Sequence, residues 1–259
     1  VQWMKKKAVP ILAAVVLIVI VAAIGIISKI VERYTPSDEV MPSAEYFGVQ
    51  EGSGLALIIQ DELVHYKGIL DNGTPYLDYQ AVKEYLNDRF YWDSSANLMV
   101  YTTPTDIINI PAGGSSYTLS GTTQDAGYPI VKVNGNQAYI AAAFVQQYTN
   151  IEFSRKENPE RLIITNQWGE REYADLKKDE AVRYQGGIKS PILTNGIKGM
   201  KLAVLEKLDD WTKVMTEDGY IGYVRSSKLG ESYQETASRE FEEPVYTSIR
   251  RNHKINLVW

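Results

Sequence analysis

Neighbouring acidic residues and the two histidines are side chains that could take part in acid–base or metal chemistry. Examples of such pairs are Asp61-Glu62, Asp209-Asp210 and Glu242-Glu243, and the histidines are His65 and His253. Paired carboxylates could act as acid and base on a glycoside, and an imidazole could act as a base or a ligand. All three acidic pairs fall at predicted turns or linkers, where solvated turn residues are the ordinary outcome. We interpret His65 as a half-buried strand residue and His253 as part of a linker.

Other recognisable sites are missing from the sequence. It has no glycine-rich phosphate loop, no paired metal-ligand spacing and no Gly-x-Ser-x-Gly motif. The absence of cysteine removes disulfides, thiolate metal sites and a cysteine nucleophile. A net charge of −5 offers no basic surface to nucleic acid. The sequence therefore predicts no catalytic residue, metal, cofactor or nucleic-acid partner within its 259 residues.

Aromatic side chains offer a different chemistry, because their faces suit glycan rings and short peptides. The candidate binding residues are Tyr184, Asn195, Trp211, Tyr220 and Tyr223. A packing role competes with binding: Trp211 opens a predicted strand and could belong partly to the core. Tyr220 and Tyr223 lie on opposite faces of one predicted strand, so at most one of them is buried. For the tyrosines between positions 76 and 101 we favour core and cross-strand packing.

Short strands cut by turns must position these aromatic residues. In residues 181–230, alternating apolar residues precede the turn at Asp209-Asp210, and a returning strand begins at Trp211. Asp218-Gly219 is a strong hairpin signal, because the positive φ angles of a tight turn suit these two residue types. This pattern predicts a small β-barrel at residues 179–232, between linkers at 169–178 and 233–253.

The same stretch resembles the bacterial SH3 (SH3b) family. The resemblance is carried by the Val-Arg at 182–183, Ser-Pro-Ile-Leu at 190–193, Lys-Gly at 198–199, Trp-Thr-Lys-Val at 211–214, Asp-Gly at 218–219, Gly-Tyr-Val at 222–224 and the closing Ser-Ser-x-Leu at 226–229. Such modules commonly hold envelope enzymes on peptidoglycan. The resemblance therefore implies wall binding and does not fix the ligand.

The N-terminus carries an apolar run that could cross a bilayer. Residues 8–27 are uncharged, and about 20 residues at 1.5 Å each span a hydrocarbon core of about 30 Å. Lys5, Lys6 and Lys7 precede the run and favour a cytoplasmic N-terminus. We predict a cytoplasmic tail at 1–7, a membrane helix at 8–28 and a stalk at 29–54. A cleaved signal peptide is the alternative.

Residues 55–168 repeat one pattern at a spacing near 63 residues. Residues 70–102 align with 132–165, and each copy has an Asn-Gly turn, a short amphipathic helix and two strands. The pattern predicts a duplicated, β-rich α+β domain with one core, and a hairpin at 107–128 between the copies. It resembles the copper amine oxidase N-terminal-like domain found repeated in bacterial surface proteins, which implies no metal here.

Residues 254–259 predict a short apolar strand without a partner, which suggests the first strand of a truncated downstream domain. Residues 253–259 are similar to the entry into the first barrel strand of family 18 glycoside hydrolases. The domain order is also that of such envelope proteins. That family's catalytic Asp-x-x-Asp-x-Asp-x-Glu motif is absent from the sequence, so any such chemistry would lie beyond Trp259.

Taken together, the predicted fold class is mainly β with some α: an N-terminal transmembrane helix, a duplicated α+β domain and a small SH3-like barrel. The predicted function is a non-catalytic membrane anchor and peptidoglycan-binding region outside the bacterial cytoplasm, the targeting part of a family 18-like hydrolase. One alternative is a structural or signalling ectodomain whose β modules mediate protein–protein assembly. The other is an enzyme already complete within these residues.

Overall fold

The computed structural model describes residues 2–50, 54–103 and 106–241. One long helix, α1 (Gln2–Tyr34), contains the apolar run, and the short helix α2 (Ser43–Phe47) follows it. The segment Ala14–Tyr34 has a mean hydropathy of 2.9 and is not buried. By length and composition it could cross a membrane. The helix continues past residue 28, where the sequence predicts the membrane segment to end.

The repeat domain, residues 55–168, is built from short strands and two helical segments. Its elements are β1 (Leu55–Ile59), β2 (Glu62–Asp71), β3 (Thr74–Asp78), α3 (Tyr79–Ala81) with a π-helical turn (Val82–Leu86), β4 (Phe90–Asp93), β5 (Leu98–Thr102), β6 (Ile107–Pro111), β7 (Ser116–Leu119), β8 (Thr122–Asp125), β9 (Val131–Asn134), β10 (Gln137–Ala141), α4 (Ala142–Tyr148), β11 (Glu152–Lys156) and β12 (Arg161–Thr165).

The predicted duplication is visible as a hairpin, a helix and a second hairpin that occur twice. Strands β3 and β10 join the copies in antiparallel pairing, with Leu77 opposite Ile140. These two residues are equivalent positions, 63 residues apart, so the copies are related by a local two-fold axis through this pair. Val82 and Val145, also equivalent, are both fully buried in the shared core. One core therefore serves both copies, as the sequence predicts.

The second hairpins of the two copies enter different sheets. Strands β4 and β5 continue into a five-stranded sheet of order β4-β5-β6-β7-β8. The segment predicted as one hairpin between the copies thus supplies three strands. Strands β11 and β12 join a seven-stranded sheet of order β11-β12-β1-β2-β3-β10-β9, in which β12 runs parallel to β1.

A second seven-stranded sheet forms the SH3-like unit, residues 169–237. Its order is β15-β14-β18-β17-β16-β13-β19, and its strands are β13 (Gly169–Asp175), β14 (Glu180–Arg183), β15 (Ile192–Gly196), β16 (Lys201–Lys207), β17 (Trp211–Met215), β18 (Ile221–Arg225), followed by a 3-10 turn (Ser226–Lys228), and β19 (Tyr233–Ala237). A core of Val182, Leu202, Val214 and Val224 lies under it. No pairing between its described strands closes the sheet into a barrel.

Two strands extend this unit into regions where the sequence predicts linkers. Strand β13 falls within 169–178 and pairs with β16, while β19 falls within 233–253 and pairs with β13 along its whole length. Four of the seven residues of β13 are charged, and three of the five residues of β19, the edge strand, are polar or charged. This polar composition is why the sequence predicts linkers there. The remaining part of the second predicted linker, from residue 242, and the strand at 254–259 lie outside the described residues.

Residues 37–49 of the predicted stalk form a packed segment between the two domains rather than a free linker. Met41 N–H bonds to the Ile192 carbonyl, Ile192 N–H bonds to the Glu39 carbonyl, and Val40 bridges to Ile192 in parallel. Phe47 is fully buried among Ala56 and Ile58 of the repeat domain and Met215 of the SH3-like unit. Tertiary packing, which no local periodicity signals, orders this segment.

Candidate functional site

A groove of about 470 Å³ opens at one end of the SH3-like unit. Its lining is aromatic at the base and polar at the rim: Ile188, Asp209, Asp210, Trp211, Arg225, Ser226 and Ser227. Trp211 begins β17 and lies opposite Arg225 at the end of β18. The antiparallel register therefore brings together two residues that are 14 positions apart in the chain.

Hydrogen bonds hold the rim of the groove in place. Leu208 N–H donates to the Trp211 carbonyl at 2.9 Å, which closes the turn that carries Asp209 and Asp210. Ser226 N–H donates to the Asp210 carbonyl at 2.9 Å, and the Ser226 hydroxyl bonds to the Thr212 hydroxyl at 2.9 Å. The carboxylates of Asp209 and Asp210 stay exposed. Both side chains are thus presented to solvent on a fixed backbone.

Side chains of both charges line the groove. The Arg225 guanidinium lies 5.9 Å from the centre of the Trp211 ring, and the two aspartates lie on the turn before Trp211. An indole face binds apolar and cationic groups, a guanidinium binds carboxylates, and aspartate binds ammonium groups. The arrangement fits a short peptide that carries a free amine and a free carboxylate.

The loop of residues 184–190 forms one wall of the groove. Gly186 packs directly on Trp211, where an added Cβ would lie 3.3 Å from the indole Cγ. Arg183, buried at the base of the loop, donates from Nη1 to the carbonyls of Ser190 at 2.7 Å and Ser37 at 2.9 Å. Burial lowers the pKa of the Arg183 guanidinium below its ordinary value. Arg183 therefore ties the groove wall to the segment that follows α1.

The structure distributes the five sequence-predicted binding residues over several places. Trp211 lines the groove. Tyr184, 45 % exposed, is not among the lining residues and lies edge-on to Tyr46, with ring centres 6.4 Å apart. Tyr223 is half-buried on β18, opposite Lys213. Asn195 is exposed on the edge strand β15, opposite Ala181 and away from the groove lining. Tyr220 is buried, which satisfies the expectation that at most one of Tyr220 and Tyr223 is.

Tyr220 lies in the junction between the domains and is not open to a ligand. It stacks on Tyr46 with ring centres 5.5 Å apart, and its hydroxyl bonds to the Ser43 hydroxyl at 2.7 Å. The Arg161 guanidinium lies 5.6 Å from its ring centre. The segment around α2, predicted as a stalk, covers this ring.

Arg225, Ile188 and the two serines were not among the predicted binding residues. The position of Arg225 follows from the hairpin register. In a hairpin whose turn is centred near Asp218, Arg225 and Trp211 lie opposite each other, because each is seven residues from Asp218. Gly219 has the positive φ of 84° that the Asp-Gly signal requires. No local signal could have placed Ile188 against Trp211, since that contact depends on how the loop folds.

The side chains that the sequence offers for acid–base or metal chemistry lie at separate places in the described residues. They contain no group of three or more histidine or acidic side chains that could hold a metal ion. His65 is exposed beside the Tyr66 ring rather than half-buried. A polar cleft of about 510 Å³ between the domains contains Asp61, which forms an ion pair with Arg171. His253 and Glu242-Glu243 lie outside the described part of the chain.

Comparison with known protein families supports one of the three resemblances seen in the sequence. Residues 183–229 match the bacterial dipeptidyl-peptidase SH3 domain. This match confirms the SH3-like assignment and includes every residue that lines the groove. It gives no support to the copper amine oxidase or family 18 resemblance. No curated protein and no solved structure matches the chain.

Proposed function

We propose that this chain is a membrane-anchored, extracytoplasmic region that binds peptidoglycan peptides in the groove at Trp211. The observation that carries the proposal is that the groove lining brings two aspartates and an arginine together around one indole ring. Peptidoglycan stem peptides present both amines and carboxylates. The match to a bacterial SH3 domain and the apolar helix α1 support the same function.

The proposed orientation places the N-terminus in the cytoplasm and residues 35–259 outside. Its support is Lys5, Lys6 and Lys7 before the apolar run. Because the chain lacks cysteine, single-cysteine variants test the orientation directly. A cysteine at the exposed Tyr91 position should react with a membrane-impermeant reagent in intact cells. A cysteine at Gln2 should react only after lysis, and the reverse pattern would refute the proposed orientation.

Binding is tested with the full chain in detergent and purified, insoluble peptidoglycan. We expect the wild-type chain to sediment with the wall and the Trp211→Ala variant to remain in solution. Tyr91→Ala is the matched control, because it removes an aromatic ring that is 59 % exposed on the repeat domain. Equal sedimentation of all three proteins would contradict a role for the groove.

The second candidate function is protein–protein assembly. It is favoured by the outer face of the five-stranded sheet, where Tyr91 and Ile107 expose 59 % and 57 % of their surface. Tyr91→Ala separates the two functions. Loss of a specific protein partner with retained peptidoglycan sedimentation would favour assembly through this sheet, whereas the groove proposal expects no change in wall binding.

We also propose that residues 1–259 are non-catalytic and that a family 18-type glycosidase domain continues the chain. This proposal rests on the resemblance of residues 253–259, which lie outside the described residues, and on the domain order. Sequencing past Trp259 tests it, with an Asp-x-x-Asp-x-Asp-x-Glu strand as the expected finding. Hydrolysis of a labelled glycan by residues 1–259 alone would overturn the non-catalytic part.

A further inference from the structure

Almost no free chain separates the membrane helix from the SH3-like unit. Helix α1 ends at Tyr34, and Thr35 still bonds to the Val31 carbonyl through its N–H at 2.8 Å and its hydroxyl at 2.7 Å. Two residues later, Ser37 N–H donates to the Ile188 carbonyl at 2.8 Å. Only Pro36 lies between a residue bonded to the helix and a residue bonded to the groove wall.

The groove wall also reaches back along the helix. Lys189 donates from Nζ to the main-chain carbonyl of Glu32, which lies inside α1. The chain from Ser37 then runs parallel to β15. Strand β15 therefore points away from the helix, and the loop of residues 184–190 is the end of the unit nearest to α1.

Taking the apolar run of residues 8–27 as the membrane span sets the height of the groove above a bilayer. Glu32 is five residues beyond the apolar run that ends at Ile27, which is about 7.5 Å of helix. The polar layer on each side of the hydrocarbon core is about 5 to 7 Å thick. Lys189 thus lies at the outer limit of the headgroup layer. A free stalk of residues 29–54 could instead have extended to about 90 Å.

We propose that the groove at Trp211 is held at the membrane surface and takes its peptide from a molecule anchored in the same membrane, rather than from wall polymer farther out. This inference rests on the proposed function and names the form in which the peptide is presented. A peptide on a lipid shares one surface with the groove, so its effective concentration there is high. Wall-borne peptide beyond the reach of the unit gains no such advantage.

The height of the loop is tested with single-cysteine variants of the full chain in lipid vesicles. A fluorophore at Lys189→Cys should be quenched by nitroxide-labelled headgroups, and Gln185→Cys in the same loop should behave alike. Ile197→Cys is the matched control, because Ile197 is 67 % exposed and follows the far end of β15, about 16 Å from Ile192. Equal quenching at positions 185 and 197, or none at position 185, would overturn the inference, because Gln185→Cys keeps the bond between Lys189 and Glu32.

The ligand source is tested with one probe, a synthetic Ala-Gln-Lys-Ala peptide with a free amine and a free carboxylate. The peptide is attached either to a lipid in the same vesicles or to beads. We expect the vesicle-bound chain to bind the lipid-borne peptide roughly 10²-fold more tightly than the free peptide. It should not capture the beads.

A linker variant separates this inference from the proposed function. Twenty Gly-Ser residues inserted between Tyr34 and Thr35 add a root-mean-square reach of about 25 Å, so this variant should capture the beads. Bead capture by the wild-type chain equal to that of the linker variant would overturn the membrane-surface inference and leave the proposed function standing. Loss of binding in every format, for both proteins, would refute the proposed function as well.

Discussion

The SH3-like unit carries two aromatic rings that each lie beside an arginine, and the two pairs differ in whether they are covered or open to solvent. Arg161 lies 5.6 Å from the ring centre of Tyr220, and Arg225 lies 5.9 Å from that of Trp211. The first pair is closed over by the segment that contains Phe47, while the second lines an open groove. We call the first region the junction and the second the groove.

The difference shows that residue type and spacing do not decide which aromatic residue binds a ligand. At the junction Arg161 donates from Nε to the Asp218 carbonyl at 2.7 Å and from Nη1 to the carbonyls of Glu157 and Pro159, both at 2.9 Å. These hydrogen bonds hold parts of this chain together, so Arg161 has a structural role. At the groove the arginine and the indole face solvent together, which leaves a ligand something to contact. The comparison predicts large stability effects at the junction and small ones at the groove.

The largest effect is expected from Phe47→Ala at the junction. Phe47 is fully buried, so its truncation removes buried area and leaves a cavity. We expect the free energy of unfolding to fall by about 3–5 kcal/mol, measured by urea denaturation in detergent. Tyr91→Ala, at an exposed ring, should stay within about 0.5 kcal/mol. Similar losses in both variants would mean that the segment around α2 does not hold the domains together.

A smaller loss is expected from Arg161→Lys. The side chain of Arg161 is 5 % exposed, and lysine cannot reach all three carbonyls, so buried acceptors lose their partner. The cost should be about 2–3 kcal/mol. Arg155→Lys is the control on the neighbouring strand β11. Arg155 pairs with Glu160 nearer the surface, so its replacement should cost no more than about 1 kcal/mol. Equal costs would contradict the closed state of the junction.

The junction should also give the protein an alkaline pH dependence. The Tyr46 hydroxyl donates to the Ile221 carbonyl at 3.0 Å and accepts from Ile221 N–H at 2.9 Å. Burial raises the pKa of Tyr46 from 10.0 to about 12. A raised pKa stabilises the folded state in full below pH 10, and this contribution is lost as the pH rises from 10 to 12.

Tyr46→Phe measures that contribution. At pH 7 the variant should lose about 1–2 kcal/mol, because Ile221 N–H loses its acceptor. The difference in unfolding free energy between wild type and variant should then shrink by an amount on the order of 2 kcal/mol between pH 10 and 12. Unfolding curves recorded across this range test the expectation. A constant difference would show that Tyr46 does not titrate in the junction.

The same contrast explains how far the sequence could predict the structure. The SH3-like pattern and the duplication were predictable, because period-two strands and Asn-Gly turns are local signals. One turn still differs from the prediction. The first turn is centred on Asn72 and Gly73, which both have positive φ. The second turn is centred on Gly135 and Asn136, one residue later than the alignment of the two Asn-Gly sequences suggests. Residues 37–49 were not predictable, since their order comes from contacts with Ile192, Ile221 and Met215 far along the chain.

The smallest stability effect and the sharpest test of the groove come from Arg225→Gln. Arg225 is half-buried at the rim, so its neutral replacement should change the unfolding free energy by no more than about 1 kcal/mol. If the guanidinium binds the peptide carboxylate, affinity for Ala-Gln-Lys-Ala should fall about tenfold, as expected for loss of one charge-assisted hydrogen bond. The same variant should bind a C-terminally amidated peptide as well as the wild type does.

Lys213→Gln is the control for this prediction. It removes a positive charge on the neighbouring strand, opposite Tyr223, and should alter the affinity for neither peptide. If the Arg225 variant lost equal affinity for both peptides, Arg225 would act by shaping the groove and not by binding the carboxylate. If the Lys213 variant lost as much affinity as the Arg225 variant, the effect would come from the overall surface charge.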